Sequence, residues 1–229
     1  EIAHLAAALR EAVLVDGCAW HELAVIARSG RSQLTPLARE LTARGIPVEV
    51  AGDELALGSQ RAVETLAADG LYLHLNPLQE AVQPEGDTNF AGLATKIAAV
   101  VRALPVPVLL KEVGSGLSPA DITLGKGAGV RYFDLAGRGG TSWSRIEHHR
   151  RRDPADTLGL TYQDWGLTTA EALRLNRAAH PDITLIASGG IRNGIDMAKA
   201  VLLGAELCGI AAPFLAAAQD SAAAVIAAI

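Results

Sequence analysis

The residue types best suited to chemistry in this chain gather in Leu71 to Asp87, LYLHLNPLQEAVQPEGD. An apolar run gives way to His74 and Asn76, then Gln79 and Glu80, then Glu85 and Asp87. A buried strand that ends in imidazole, amide and carboxylate groups is how a parallel α/β protein builds a site: the strand gives rigidity and the loop after it carries the chemistry. Glu80 offers a hard carboxylate oxygen suited to Mg²⁺, and Gln79 an amide for a coordinated water or a substrate group. His74 alternates with Leu73 and Leu75, so it points to the opposite side of the sheet from them. A satisfied buried histidine and a substrate contact are both open readings of it.

Four more polar or glycine-rich clusters follow apolar runs. Lys111 and Glu112 end PVPVLLKE, where the lysine is either a surface residue or a cation held in a barrel mouth to stabilise negative charge. AGRGGTSWS places Thr141 behind two glycines. SGGIRNG runs from Ser188 through Gly189, Gly190, Ile191 and Arg192, and GIAAPF carries Ala211 and Ala212. Glycines let backbone N–H groups approach an anion, and a following helix adds a favourable dipole. Each glycine turn alone reads as a tight turn. On consecutive strands the two read as a phosphate cradle, in the place where barrels hold phosphate. All five clusters fall at carboxyl ends of strands, which predicts one composite site. The polar segment 138–166 has no periodicity and reads as a long loop. Its RIEHHRRRD run is a solvated stretch, or else an anion-attracting lid.

The elements that must position these groups alternate. Helices are predicted at 2–15, 34–45, 59–70 (with Ser59 as N-cap), 90–103, 119–127, 167–180 and 195–205, and over the alanine-rich end. Strands are predicted at 23–28, 47–52, 71–75, 106–112, 130–135, 183–187 and 207–211. Apolar strands alternating with helices predict a parallel sheet covered on both faces. The fold class is α/β, and the strands fall one short of the eight of a (β/α)₈ TIM barrel.

Half of the 229 residues are apolar and a fifth charged, enough for a sizeable core, with aromatics at only 4%. A net charge of −5 argues against a non-specific nucleic-acid or membrane-surface binder. Cys18 and Cys208 read as buried reduced thiols. With no long uncharged apolar stretch, a soluble cytoplasmic protein is expected.

At HLNPLQEAVQPEGDTNF, KEVGSG, DLAGRGGTSWSRIE, DWGLTTAEAL, ASGGIRNGIDMAKAVLLGA and AAPFL, from Gly70 onward, the chain resembles the type 2 isopentenyl-diphosphate Δ-isomerases. LGSQRA at 57–62 resembles a further motif of that family. The resemblance implies a TIM barrel that binds FMN, reduced by NADPH, and Mg²⁺. Such a barrel interconverts isopentenyl and dimethylallyl diphosphate, with the reduced flavin moving protons and no net redox change. It implies that Glu80 binds Mg²⁺, that Gln79 contacts substrate, and that His74 and Asn76 line the substrate pocket, with His74 and Gln79 as the catalytic side chains. Ser59, Gln60 and Arg61 would hold diphosphate or flavin. Lys111 and Thr141 would contact FMN, and Gly189, Gly190, Ile191, Arg192, Ala211 and Ala212 its phosphate. An allylic or homoallylic diphosphate is the implied small-molecule partner, and assembly of identical copies is among the expectations.

The front departs from that pattern. The family's Arg-Lys pair and its Met-Thr-Gly-Gly and Ala-Asn-Leu-Gly strand ends are absent. Residues 1–56 instead resemble a piece of a UvrD-type DNA helicase, around WHELAVIARSGRSQLTPLARELTARGIPVEVAGDEL. The chain has no GxxxxGK[ST] phosphate loop, which excludes ATP-driven helicase activity. The expected organisation is a helicase-like βαβ segment at 1–56 and an FMN-binding barrel portion at 57–229, incomplete or rebuilt at its first strands. Two other functions stay open: an FMN-dependent barrel oxidoreductase, and an inactive chimeric flavin-binding module. The absent Arg-Lys pair supports the module, since it removes two charge-assisted anchors for a diphosphate.

Overall fold

Residues 2–15, 35–46, 55–151, 153 and 155–228 are described by the computed structural model. The chain divides into two units, 1–54 and 55–229. The first holds helices α1 (Ile2–Leu14) and α2 (Thr35–Ala43), with Ala6, Leu41 and Ile46 buried together. The strands predicted at 23–28 and 47–52, and Cys18, lie outside the described residues.

The second unit alternates strand and helix: α3 (Leu55–Leu66), β1 (Leu71–His74), α4 (Pro77–Val82), α5 (Leu93–Ala103), β2 (Val108–Lys111), α6 (Pro119–Gly127) and β3 (Tyr132–Asp134). It continues through α7 (Trp143–Arg150), α8 (Leu158–Thr161), α9 (Thr169–Ala179), β4 (Thr184–Ala187), α10 (Gly194–Leu202), β5 (Leu207–Cys208), a 3-10 turn (Ala212–Phe214), α11 (Leu215–Asp220) and α12 (Ala222–Ala227). The five strands form one parallel sheet in sequence order. That is the connectivity of a barrel wall. Among the described residues it stops at five of eight strands, and β1 and β5 have no outer partner.

The two faces differ. On one, Leu110, Phe133, Leu185 and Ala187 pack under Ile97, Ile122, Leu173 and Ala200 from the helices. Helix α6 lies so close that a Cβ on Gly125 would meet Phe133 at 2.6 Å and Leu110 at 2.8 Å. On the other face, which a closed barrel would turn inward, the register aligns Tyr72, Leu109, Tyr132 and Thr184 in one row. His74, Lys111, Asp134, Ile186 and Leu207 form the next row. This face is only partly covered: Tyr72 is 47% exposed and Leu207 56%. Among the described residues the expected cover on both faces is therefore complete on one face only.

Two further predictions change. Ser59 does not cap a helix: α3 starts at Leu55, and Ser59 is buried within it, because Val63 packs on Val100, Leu104 and Val108 and sets the helix's extent. The segment 138–166 is not a loop, since it contains α7 and α8. Ser142 caps α7 by accepting the Arg145 N–H, and Ser144 donates to the Gly159 carbonyl at 2.7 Å, tying the two helices together. Away from the strand ends, Arg177 ties α9 to β5 by donating to Gly204 O and Glu206, while Glu206 accepts from Leu185 N. No helix among the described residues is long and apolar enough to cross a membrane.

Candidate functional site

The carboxyl ends of β1 to β4 bring most of the predicted groups together. Lys111 stands between His74 and Asp134 in the register. Its Nζ donates to the Glu112 carbonyl at 2.8 Å and lies 3.3 Å from His74 Nδ1. An ammonium can only donate, so Nδ1 accepts and the His74 proton sits on Nε2, presented outward as a donor. Burial first, then the Lys111 charge, lowers the His74 pKa, with Glu80 opposing. His74 is therefore neutral at pH 7.

A lowered imidazole pKa has a consequence for stability. The unfolded chain takes up a proton near pH 6.5, while the folded chain resists it until its lower value is reached. Stability is fully present above about pH 6.5 and is lost as pH falls through the folded pKa. In His74→Gln, whose amide oxygen still accepts from Lys111, Tm should fall less than in the native chain over that window. Parallel Tm curves would remove His74 as the cause.

A second polar network starts one turn later. Asn76 Nδ2 donates to Glu80 Oε1 at 2.9 Å and to Gln79 Oε1 at 3.3 Å. Gln79 is buried, and its Nε2 donates to Glu147 on α7 at 2.7 Å. Glu147 is 2% exposed and accepts from Arg150 at 2.6 Å; Arg150 also reaches Glu85 at 3.4 Å. Glu80 additionally accepts from Gln83 Nε2 and Asp87 N. Among the described residues no group of three or more His, Cys, Asp or Glu side chains is placed to hold a metal. An ion at Glu80 would take one protein carboxylate and complete its shell from a substrate's oxygens and water, as Mg²⁺ commonly does.

The AGRGG and SGG turns meet, whereas the pairing expected from the sequence is SGGIRNG with GIAAPF. A Cβ on Gly139 would lie 2.8 Å from Gly189 O, and one on Gly190 2.5 Å from Gly139 O, so the turns touch backbone to backbone. Gly189 and Gly190 hold φ of +95° and +78°, which favour glycine. Their carbonyls are occupied: Thr169 Oγ1 donates to Ser188 O and Gly189 O, Gly137 N to Ser188 O, and Arg192 Nη2 to Gly139 O. The N–H groups of Gly139, Gly140, Gly189 and Gly190 make no protein hydrogen bond among the described residues. Unbonded N–H donors beside occupied carbonyls suit a phosphate. In the first turn of α10, Asn193 Oδ1 accepts the Asp196 N–H and the Asp196 carboxylate accepts the Arg192 N–H.

Thr141 is exposed beside this cradle, and its carbonyl lies 3.2 Å from where a Cβ on Gly114 would stand, so the β2 and β3 loops touch. Ala211 and Ala212 are exposed beyond β5, whose Gly209 N–H bonds Ala187 O next to Ser188. Ser59, Gln60 and Arg61 are not brought in: they lie on α3, where Gln60 bonds Glu64 of the same helix. Glu147, Asp134, Gly139 and Gly140 are site residues that sequence reasoning missed. A cavity of about 760 Å³ opens elsewhere, between α4, residues 112–118 and residues 158–167. It is mainly apolar, follows the carboxyl ends of β1 and β2, and is not lined by His74, Lys111, Glu80 or the AGRGG and SGG turns.

The family model described as FMN-dependent dehydrogenase matches residues 64–229. The chain belongs to this family. Proteins named isopentenyl-diphosphate delta-isomerase are similar to it: one from Paracoccus zeaxanthinifaciens is 67% identical over 172 residues, covering 73% of this chain and 49% of that protein. One from Hydrogenovibrio crunogenus is 62% identical over 164 residues, 71% of this chain and 48% of that protein. One from Synechococcus is 53% identical over 164 residues, 71% and 47%. The chain spans about half the length of the curated relatives it matches. Membership of the FMN-dependent dehydrogenase family agrees with the phosphate-suited cradle and with a sheet connected as in a TIM barrel.

Proposed function

We propose that residues 55–229 are the FMN-binding part of an isomerase that interconverts isopentenyl and dimethylallyl diphosphate. The observation that carries this is the pairing, at one end of one sheet, of a glycine cradle with the Asn76–Gln79–Glu80–Glu147 network. A flavin oxidoreductase needs the first and has no use for the second. The names of the similar proteins point the same way.

The reaction adds a proton at C4 of the isopentenyl chain and removes one from C2, so electrons balance without net oxidation. FMN, reduced by NADPH, would supply the acid–base chemistry when bound. Gly139, Gly140, Gly189 and Gly190 hold its phosphate through N–H groups, with Ile191, Arg192, Ala211 and Ala212 around them. Lys111 and Thr141, at the adjacent strand ends, would contact FMN. His74 Nε2–H and Asn76 bind substrate, Glu80 anchors Mg²⁺ on the diphosphate, and Gln79, fixed by Glu147, contacts the reacting carbons.

The test is FMN titration of the purified chain, followed by NADPH, Mg²⁺ and isopentenyl diphosphate in D₂O. Flavin uptake and deuterium incorporation into both isomers are expected. A chain that takes up no FMN would overturn the reading. Steady NADPH consumption with an added acceptor, and no isomer exchange, would favour hydride transfer, the reading the family's dehydrogenase name supports.

A further inference from the structure

Asp134 ends β3 in register with Lys111 on one side and Ile186 on the other, and is 7% exposed. Its Oδ1 accepts from two places. Ser188 Oγ, at the start of the second glycine turn, donates at 2.5 Å, and Ala136 N, at the start of the first, donates at 3.2 Å. Ala136 holds φ +39°, a left-handed conformation that costs an alanine energy and that the carboxylate's bond to its N–H helps retain. Ser188 in turn is fixed at its carbonyl by Gly137 N and Thr169 Oγ1. Burial raises the Asp134 pKa, and the Ser188 hydroxyl and Lys111 charge oppose that rise. One carboxylate therefore bonds both glycine turns and bears electrostatically on the cation at the neighbouring strand end.

We infer that Asp134 is a positioning residue that locks the two glycine turns in register and supplies the counter-charge to Lys111, so that it sets both flavin affinity and flavin electronics. This rests on the FMN reading above. The two roles separate by substitution. Asp134→Asn keeps an acceptor for Ser188 and Ala136 but removes the charge. Ser188→Ala keeps the charge but unties the second turn.

In the flavin-free chain, hydrogen exchange of the bonded Ala136, Gly137 and Arg138 amides should speed up in Ser188→Ala and change little in Asp134→Asn. With FMN added, Ser188→Ala should weaken binding about tenfold and leave the reduction potential in place. Asp134→Asn should bind within about threefold of native and favour the reduced flavin about tenfold, a rise of about 30 mV for a two-electron couple, because a negative charge near the flavin has gone. Unchanged exchange in Ser188→Ala overturns the lock, whether or not FMN binds. An unmoved potential in Asp134→Asn overturns the charge role. Failure of the native chain to take up FMN sinks the flavin reading, and the exchange comparison still decides the lock.

Discussion

Gly190→Ala is expected to weaken FMN binding at least tenfold and to destabilise residues 55–229 by about 2–4 kcal/mol. Two costs combine. The residue holds φ +78°, where a Cβ costs roughly 1–2 kcal/mol. That Cβ would also stand 2.5 Å from Gly139 O and 2.9 Å from Gly139 Cα. Both are backbone atoms, with no flexible side chain to swing aside, so the turns must separate. Separation pulls apart the N–H groups suited to the phosphate, and affinity should fall at least tenfold, about 1.4 kcal/mol. Gly127→Ala is the control: it lies in α6 with nothing within 4 Å of where its Cβ would stand, and should be neutral or slightly stabilising. Thermal melts and FMN titration of the two variants check the contrast. A Gly190→Ala chain that binds FMN like the native one would show that the cradle lies elsewhere.

The glycine turns were legible because their signal is local: SGG after ITLIA can be read without knowing what it touches. The five strands of the second unit were legible for the same reason, as apolar runs bounded by Gly, Pro or charge, though each observed strand is shorter than its run. Helix α7 was not legible. Its buried positions, Ser144 and Glu147, are polar and satisfied by Gly159 O, Gln79 and Arg150, so hydrophobic periodicity carries no trace of them. The Ser142 cap was the available sign. The extent of α3 was missed because Val63's packing on α5 and β2 outweighs the N-cap suggested at Ser59. The closeness of Lys111 to His74 follows from strand register, and the half-open inner face from strand count; neither is a property of any single segment. Cys208 was expected to be buried and is only half-buried, as the last residue of the two-residue strand at the sheet's edge.

Glu147→Ala should cost about 2–3 kcal/mol of stability and, on the proposed reaction, lower kcat by roughly 100-fold. The carboxylate can only accept, so it fixes which end of the Gln79 amide faces it: Nε2 donates to Glu147, and Oε1 is left toward Asn76 Nδ2. Removing it leaves a buried amide N–H₂ without its acceptor and lets the amide turn over. The stability cost stays below that of a fully buried ion pair because Arg150 is 46% exposed and keeps Glu85 at 3.4 Å. Glu147→Gln separates shape from charge. Its amide oxygen can take the Gln79 bond, but its N–H₂ then faces the Arg150 guanidinium, two donors together, so it should fall between native and alanine. Arg150→Ala, losing a half-exposed partner, should cost under about 1 kcal/mol. On the proposed reaction, with Gln79 held from behind and the diphosphate bound by other groups, the loss should appear in kcat with KM little changed. A Glu147→Ala enzyme that melts earlier yet keeps its kcat would show that the Glu147 bond braces α4 against α7 without orienting Gln79 for the reaction.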